Sequence, residues 1–154
     1  MMTIIIDTRE RIPWNFTTKA DCIQIVKKLD TGDYTLLGFE DKFVIERKYS
    51  ISEIAINFGS GWKRFQKELD RMQAFERRYI ICEFTIDDVL NFPINSGIPR
   101  SKWQYLKLSG KFLMSRFDHI REQYKVEIIF CGSKLEAEKT VHGIFLDVTK
   151  QTKS

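Results

Sequence analysis

Hydrophobic and polar positions change period several times along the chain, and each change marks an element. Ile4-Ile5-Ile6 is a continuous apolar run ending at Asp7, which predicts a short buried strand over 3–6. Tyr34-Thr35-Leu36-Leu37 and Phe43-Val44-Ile45-Glu46-Arg47-Lys48 predict a hairpin over 34–48, with Gly38-Phe39-Glu40-Asp41 as its turn. Helical spacing follows: a short helix near 52–58, a break at Phe58-Gly59-Ser60-Gly61, then an amphipathic helix over 62–77 with Phe65, Leu69, Met72 and Phe75 on one side. A strand over 78–85 and a short helix over 86–91 lead into the least structured stretch, 93–99. The rest reads as a helical region over 101–124 with Gly110 as its weak point, a strand over 126–130, and a helix over 133–150 opening at a capping box of Ser133 and Glu136. Segment 19–29, with Cys22, Ile23, Ile25 and Val26, suits a helix and a short strand equally. This alternation predicts an α/β fold, a central mixed sheet flanked by helices.

The chemistry concentrates in the hairpin. Strand side chains alternate faces, so Glu46 and Lys48 project to one side and Arg47 to the other. A turn centred between Phe39 and Glu40 sets Asp33 opposite Glu46, and a turn one residue later sets it opposite Lys48. Either register gathers Asp33, Glu46 and Lys48, because cross-strand partners lie about 4.5–5.5 Å apart at Cβ. Two carboxylates that close repel unless a cation or a proton lies between them. With a lysine beside them, they suit a divalent metal and phosphodiester hydrolysis. Asp7 ends its strand where α/β sheets commonly build sites, although an Asp there also suits a turn. Arg9 and Glu10 follow it and are expected to pair with each other in support of the site.

Gly32-Asp33-Tyr34 followed by Val44-Ile45-Glu46-Arg47-Lys48 resembles the nuclease core of the XPF-type structure-specific endonucleases, within the restriction-endonuclease-like class. Ile4-Ile5-Ile6-Asp7-Thr8-Arg9-Glu10 is similar to that family's first strand. Arg64-Phe65-Gln66-Lys67-Glu68, Met72 and Tyr79-Ile80-Ile81-Cys82-Glu83 are similar to its next helix and strand. The resemblance covers roughly the whole chain, read as one nuclease domain over 1–154 without a helix-hairpin-helix module. It implies a restriction-endonuclease-like nuclease core and a DNA endonuclease of repair or recombination, acting on branched or flap structures. Asp33, Glu46 and Asp7 would ligate Mg²⁺ or Mn²⁺, and Lys48 would orient or deprotonate the attacking water or neutralise transition-state charge. The family usually has an Asp four residues after the Lys; here that position is Ser52, followed by Glu53. Glu53 also completes a capping box with Ser50, so it is assigned a supporting place with Arg9, Glu10 and Arg47.

The net charge of +4 permits a nucleic-acid partner without requiring one, so its distribution matters more. Lys63, Arg64, Lys67 and Arg71 form a basic ridge on the amphipathic helix, with Glu68 one turn from Arg64 as an ion-pair partner. Arg100, Lys102, Lys107 and Lys111 surround the loop and next helix, interleaved with Trp103 and Tyr105. These are the candidate DNA contacts, through phosphates and base stacking. Three widely spaced cysteines and the absence of a long apolar run or a secretory start predict an intracellular protein without a membrane partner. Neither histidine forms a metal motif, which directs the metal to oxygen ligands. Phe112, Leu113, Phe117, Ile144, Phe145 and Leu146 exceed what one sheet face needs and predict a homodimer, or a heterodimer with another subunit. Two other readings stand beside the nuclease: a catalytically silent relative that binds DNA or a partner, and a small sequence-specific nuclease.

Overall fold

The structure, a computed structural model, describes residues 1–151. Six strands form one mixed sheet: β1 (Met2–Ile6), β2 (Cys22–Val26), β3 (Tyr34–Leu36), β4 (Phe43–Lys48), β5 (Arg77–Cys82) and β6 (Glu127–Phe130), in the order β2-β1-β3-β4-β5-β6. The pairs β1–β2, β4–β5 and β5–β6 are parallel, and β3 runs antiparallel to both neighbours. The undecided segment around Cys22 is therefore a strand. It pairs in parallel with β1, and it is an edge strand, which is why its apolar residues carry no helical face.

Side-chain alternation along the strands splits the interior into two layers. On one face Val44, Ile80 and Ile128 pack against Ile54, Phe58, Phe65, Leu69, Leu113 and Phe117. These come from α1 (Ile51–Phe58), α2 (Trp62–Met72) and α4 (Gly110–Tyr124), with α3 (Ile86–Leu90) closing that side. On the other face Ile4, Ile6, Leu36, Phe43, Ile45 and Ile81 meet Trp14, Phe16 and one helix, α5 (Lys134–Gln151). Burying each such side chain is worth about 1.5–3 kcal/mol.

Local chemistry sets the helix ends. Ser50 Oγ accepts the Glu53 amide at 3.1 Å to start α1, Thr85 and Asp88 form a reciprocal box at α3, and Ser133 Oγ caps α5 through Glu136. The helix expected to reach residue 77 stops at Met72, and Phe75 lies in a turn whose amide bonds the Met72 carbonyl at 3.1 Å. The region expected to be one helix from 101 is a 3₁₀ helix, Arg100–Tyr105, and then α4. Gly110 opens α4 instead of weakening its middle. A Cβ there would come within 2.2 Å of the Leu90 carbonyl oxygen, so only glycine lets α4 start against α3.

The apolar surface invoked for a dimer is the chain's own core. Leu113, Phe117 and Phe145 are 0% exposed, while Phe112, Ile144 and Leu146 pack against the two layers. A sheet covered on both faces needs this second set of apolar residues, because α4 and α5 serve opposite sides. No helix of the described residues is long and apolar enough to cross a membrane.

Candidate active site

The Tyr34–Ile45 pairing fixes the hairpin register. Asp33 therefore falls opposite Glu46, and the first of the two expected registers holds. The β1–β3 register sets Ile6 against Tyr34, so Asp7 falls opposite Asp33 in turn. Asp7, Asp33 and Glu46 thus form a row across the sheet at the C-terminal ends of β1 and β4, where open α/β sheets place their sites. Lys48 lies two residues beyond Glu46 on the same face.

Glu46 and Lys48 are each only 6% exposed. Burial, then the nearby Asp33 carboxylate, pushes the Glu46 carboxyl well above the usual range, against the pull of Lys48. The Arg47 amide donates to Asp33 Oδ2 at 2.7 Å and sets that carboxylate's orientation. Burial works to lower the Lys48 ammonium, but Glu46, Glu53 and Asp33 outweigh it and raise its pKa. Lys48 therefore stays charged, with Nζ 3.7 Å from Glu53 Oε2 and 4.8 Å from the Phe65 ring centre.

Glu53 is nearer the centre than its capping role suggested. Its amide caps onto Ser50, but its carboxylate passes over the Ser50 amide, accepts the Tyr49 amide at 3.1 Å and reaches Lys48. It supplies an acid beside Lys48 from one residue past Ser52. Asp7 is held by donors at both oxygens. Its Oδ1 accepts the Leu29 amide at 2.8 Å, and its Oδ2 accepts Arg9 Nε at 2.6 Å. Although burial opposes it, these donors hold the carboxyl below its ordinary value. Arg9 also donates to the Leu29 carbonyl at 3.1 Å, so the pair ties the loop before Asp33 to the end of β1.

The expected Arg9–Glu10 pair is replaced by Arg9–Asp7 and by Glu10–Arg47 at 3.7 Å. Glu10 Oε1 is buried with no hydrogen-bond partner among the described residues. Burial and the Asp33 charge push the Glu10 carboxyl up to about 7. Arg47 occupies the opposite face from Lys48. It donates to Glu83 Oε2 at 2.9 Å and to the Ile12 carbonyl at 2.8 Å, and lies 4.9 Å from the Trp14 ring centre. Trp14 stacks on Tyr34 at 4.5 Å. Trp14 drew no attention in the sequence, and Glu83 entered only as the end of a family-like strand, with no role of its own. Glu83 carried a readable signal, because in the β4–β5 register it follows Ile81 by two and shares Arg47's face. Trp14, alone in an irregular segment, carried none.

Lys63, Arg64, Lys67 and Arg71 are all exposed along α2. Glu68 pairs with Arg71 at 2.6 Å instead of Arg64, and its charge reaches Glu46 and Lys48. Arg64 makes no ion pair among the described residues. Arg100 and Lys102 are exposed on the 3₁₀ helix, with Arg100 5.4 Å from the Trp103 ring centre. Trp103 is half-buried and donates Nε1 to the Ile98 carbonyl at 3.0 Å. On Arg47's side opens a cleft of ≈ 670 Å³ lined by Arg9, Glu10, Arg11, Arg47, Tyr49 and Lys134 among others, and not by Asp7, Asp33, Glu46 or Lys48.

A family model described as the ERCC4 domain matches residues 6–144. The chain belongs to the ERCC4 domain family. No curated protein matches it in sequence. Among solved structures, this ERCC4 domain is similar to XPF from Aeropyrum pernix in complex with DNA, with a TM-score of 0.70 and 19% identity over 98% of this chain and 66% of that one. The XPF structure from Aeropyrum pernix without DNA in its description gives a TM-score of 0.70 and 18% identity, over 98% and 67%. This ERCC4 domain therefore spans about two thirds of the archaeal chain, with which it shares the restriction-endonuclease-like fold.

Proposed function

We propose that this ERCC4 domain is a divalent-metal-dependent DNA endonuclease whose reacting centre is Asp33, Glu46 and Lys48. The observation that carries the reading is the half-buried Asp33 carboxylate set opposite the buried Glu46, beside a charged lysine. Two carboxylates set this close repel, and a hard dication held between them would relieve that repulsion. The orphaned Glu10 Oε1 and the all-oxygen donor set fit Mg²⁺ or Mn²⁺ equally well. When bound, such an ion supplies Lewis-acid activation of water and of the phosphoryl oxygen.

The chain's own residues do the rest. Asp33 and Glu46 hold the ion, with Asp33 aimed by the Arg47 amide. Lys48 sits charged beside Glu46 and Glu53, so its part is to neutralise charge on the phosphorane-like transition state. Glu53 keeps that ammonium in place. Asp7 and Arg9 position the loop that delivers Asp33. Lys63, Arg64, Lys67 and Arg71 contact the DNA backbone, and Arg100 and Lys102 extend that contact along the strand. The three central groups come from one chain, so the chemistry needs no second subunit.

Branched or flap DNA is the proposed substrate, on the strength of the family. The test is nicking of flap, fork and linear duplex DNA with Mg²⁺, Mn²⁺ or EDTA. Cleavage of branched over linear DNA that stops in EDTA supports the reading. DNA binding without cleavage under every condition favours a silent relative instead.

A further inference from the structure

We propose that Asp21, Cys22 and His142 form a second metal site, which takes Zn²⁺. One oxygen, one sulfur and one nitrogen converge from two elements far apart in sequence, with the three ligand atoms within 4.8 Å of one another. Cys22 Sγ and His142 Nε2 each lie 3.4 Å from Asp21 Oδ1. Two ligands on a tetrahedral ion with bonds of about 2.0–2.3 Å sit roughly 3.4–3.6 Å apart, so both spacings are those of a zinc coordination edge. Only the sulfur-to-nitrogen edge has to contract.

The donor chemistry separates this position from the acidic row. A thiolate and an imidazole select a borderline-soft ion, whereas Asp33 and Glu46 offer oxygen alone to a hard one. Location separates them too. Cys22 pairs with Met2 at the N-terminal end of the parallel strands, while Glu46 lies at the C-terminal ends. His142 projects from α5 next to Val141, which is fully buried in the layer under that helix. An ion here clamps β2, an edge strand whose neighbour in the sheet is β1, onto α5. Three protein ligands leave the fourth position to water.

The test is a Co²⁺ titration of the chelator-treated full chain, read by absorption. One equivalent should give a thiolate-to-cobalt charge-transfer band with tetrahedral d–d bands, displaced by Zn²⁺. Cys22→Ser should abolish the charge-transfer band, and His142→Gln should weaken Co²⁺ binding at least about tenfold, since losing even a partner behind a ligand costs about 10–100-fold. No such band in the native chain overturns the proposal, and so does a band that survives Cys22→Ser. If Cys22→Ser does not fold, an unchanged affinity in His142→Gln overturns it equally. None of these readouts depends on DNA cleavage, so failure here leaves the nuclease reading standing, and the reverse holds too.

Discussion

The Arg47 amide donates to Asp33 Oδ2 over 2.7 Å, while the residue before it, Glu46, puts its own carboxyl against that same Asp33. One strand thus both restrains Asp33 and repels it. The backbone bond fixes where the carboxylate points, and the side chain makes a neutralising partner necessary. A site with this build is preorganised for a cation and frustrated without one.

That frustration sets a pH dependence. Glu46 and Glu10 both bind a proton more tightly folded than unfolded, and Glu10 moves from the ordinary 4.5 up to about 7. Between those values the native state holds more protons than the unfolded chain, so the unfolding free energy falls as pH rises. Urea denaturation in EDTA should show lower stability at pH 8 than at pH 5. Glu46→Gln should flatten part of that slope, and Mg²⁺ should recover part of the loss at pH 8. Stability that climbs from pH 5 to pH 8 in EDTA contradicts the assignment.

Lys48 is expected to act on turnover more than on affinity. Lys48→Met keeps the buried stem over Phe65 and removes only the charge. Cleavage should fall by about 10²-fold or more, the cost typical of losing one transition-state stabiliser. Binding to flap DNA in Ca²⁺ should change little, and an equal loss of both would make Lys48 a plain phosphate contact.

The exposed ridge on α2 should behave in the opposite way. Arg64→Ala or Lys67→Ala should weaken binding about equally for all DNA sequences and reduce the salt slope by about 1. Filter binding across a salt series reads this directly. An unchanged slope moves the DNA to another face.

Much of this was legible in the residues. The Asp33–Glu46–Lys48 cluster followed from strand alternation and a turn of known length, because a side-chain period of two leaves only two registers to choose between. The caps at Ser50 and Ser133 mark helix starts in the chain itself. The undecided strand at Cys22 was not legible, since an edge strand takes its identity from the neighbour it pairs with. The roles of Trp14 and Glu83 were missed for a related reason: their partner, Arg47, is reached only across three separate segments. Glu53 was half read, its cap being local and its contact with Lys48 tertiary. The apolar residues counted towards a dimer were weighed against one sheet face, where the topology covers two.

That last point has its own test. Phe117 is fully buried against Phe58 and Phe130, at centroid distances of 4.8 and 5.0 Å. Phe117→Ala should cost about 3–5 kcal/mol of stability at any protein concentration. Loss of a dimer in light scattering with stability intact would restore these residues to an interface.

Mn²⁺ binding followed by loss of the free-ion electron paramagnetic resonance signal tests the central claim most directly. The native chain should bind Mn²⁺ with Mg²⁺ as competitor, and Asp33→Asn and Glu46→Gln should each lose that binding, and DNA cleavage with it, while staying folded. Mn²⁺ binding and cleavage that persist in both variants would contradict the account.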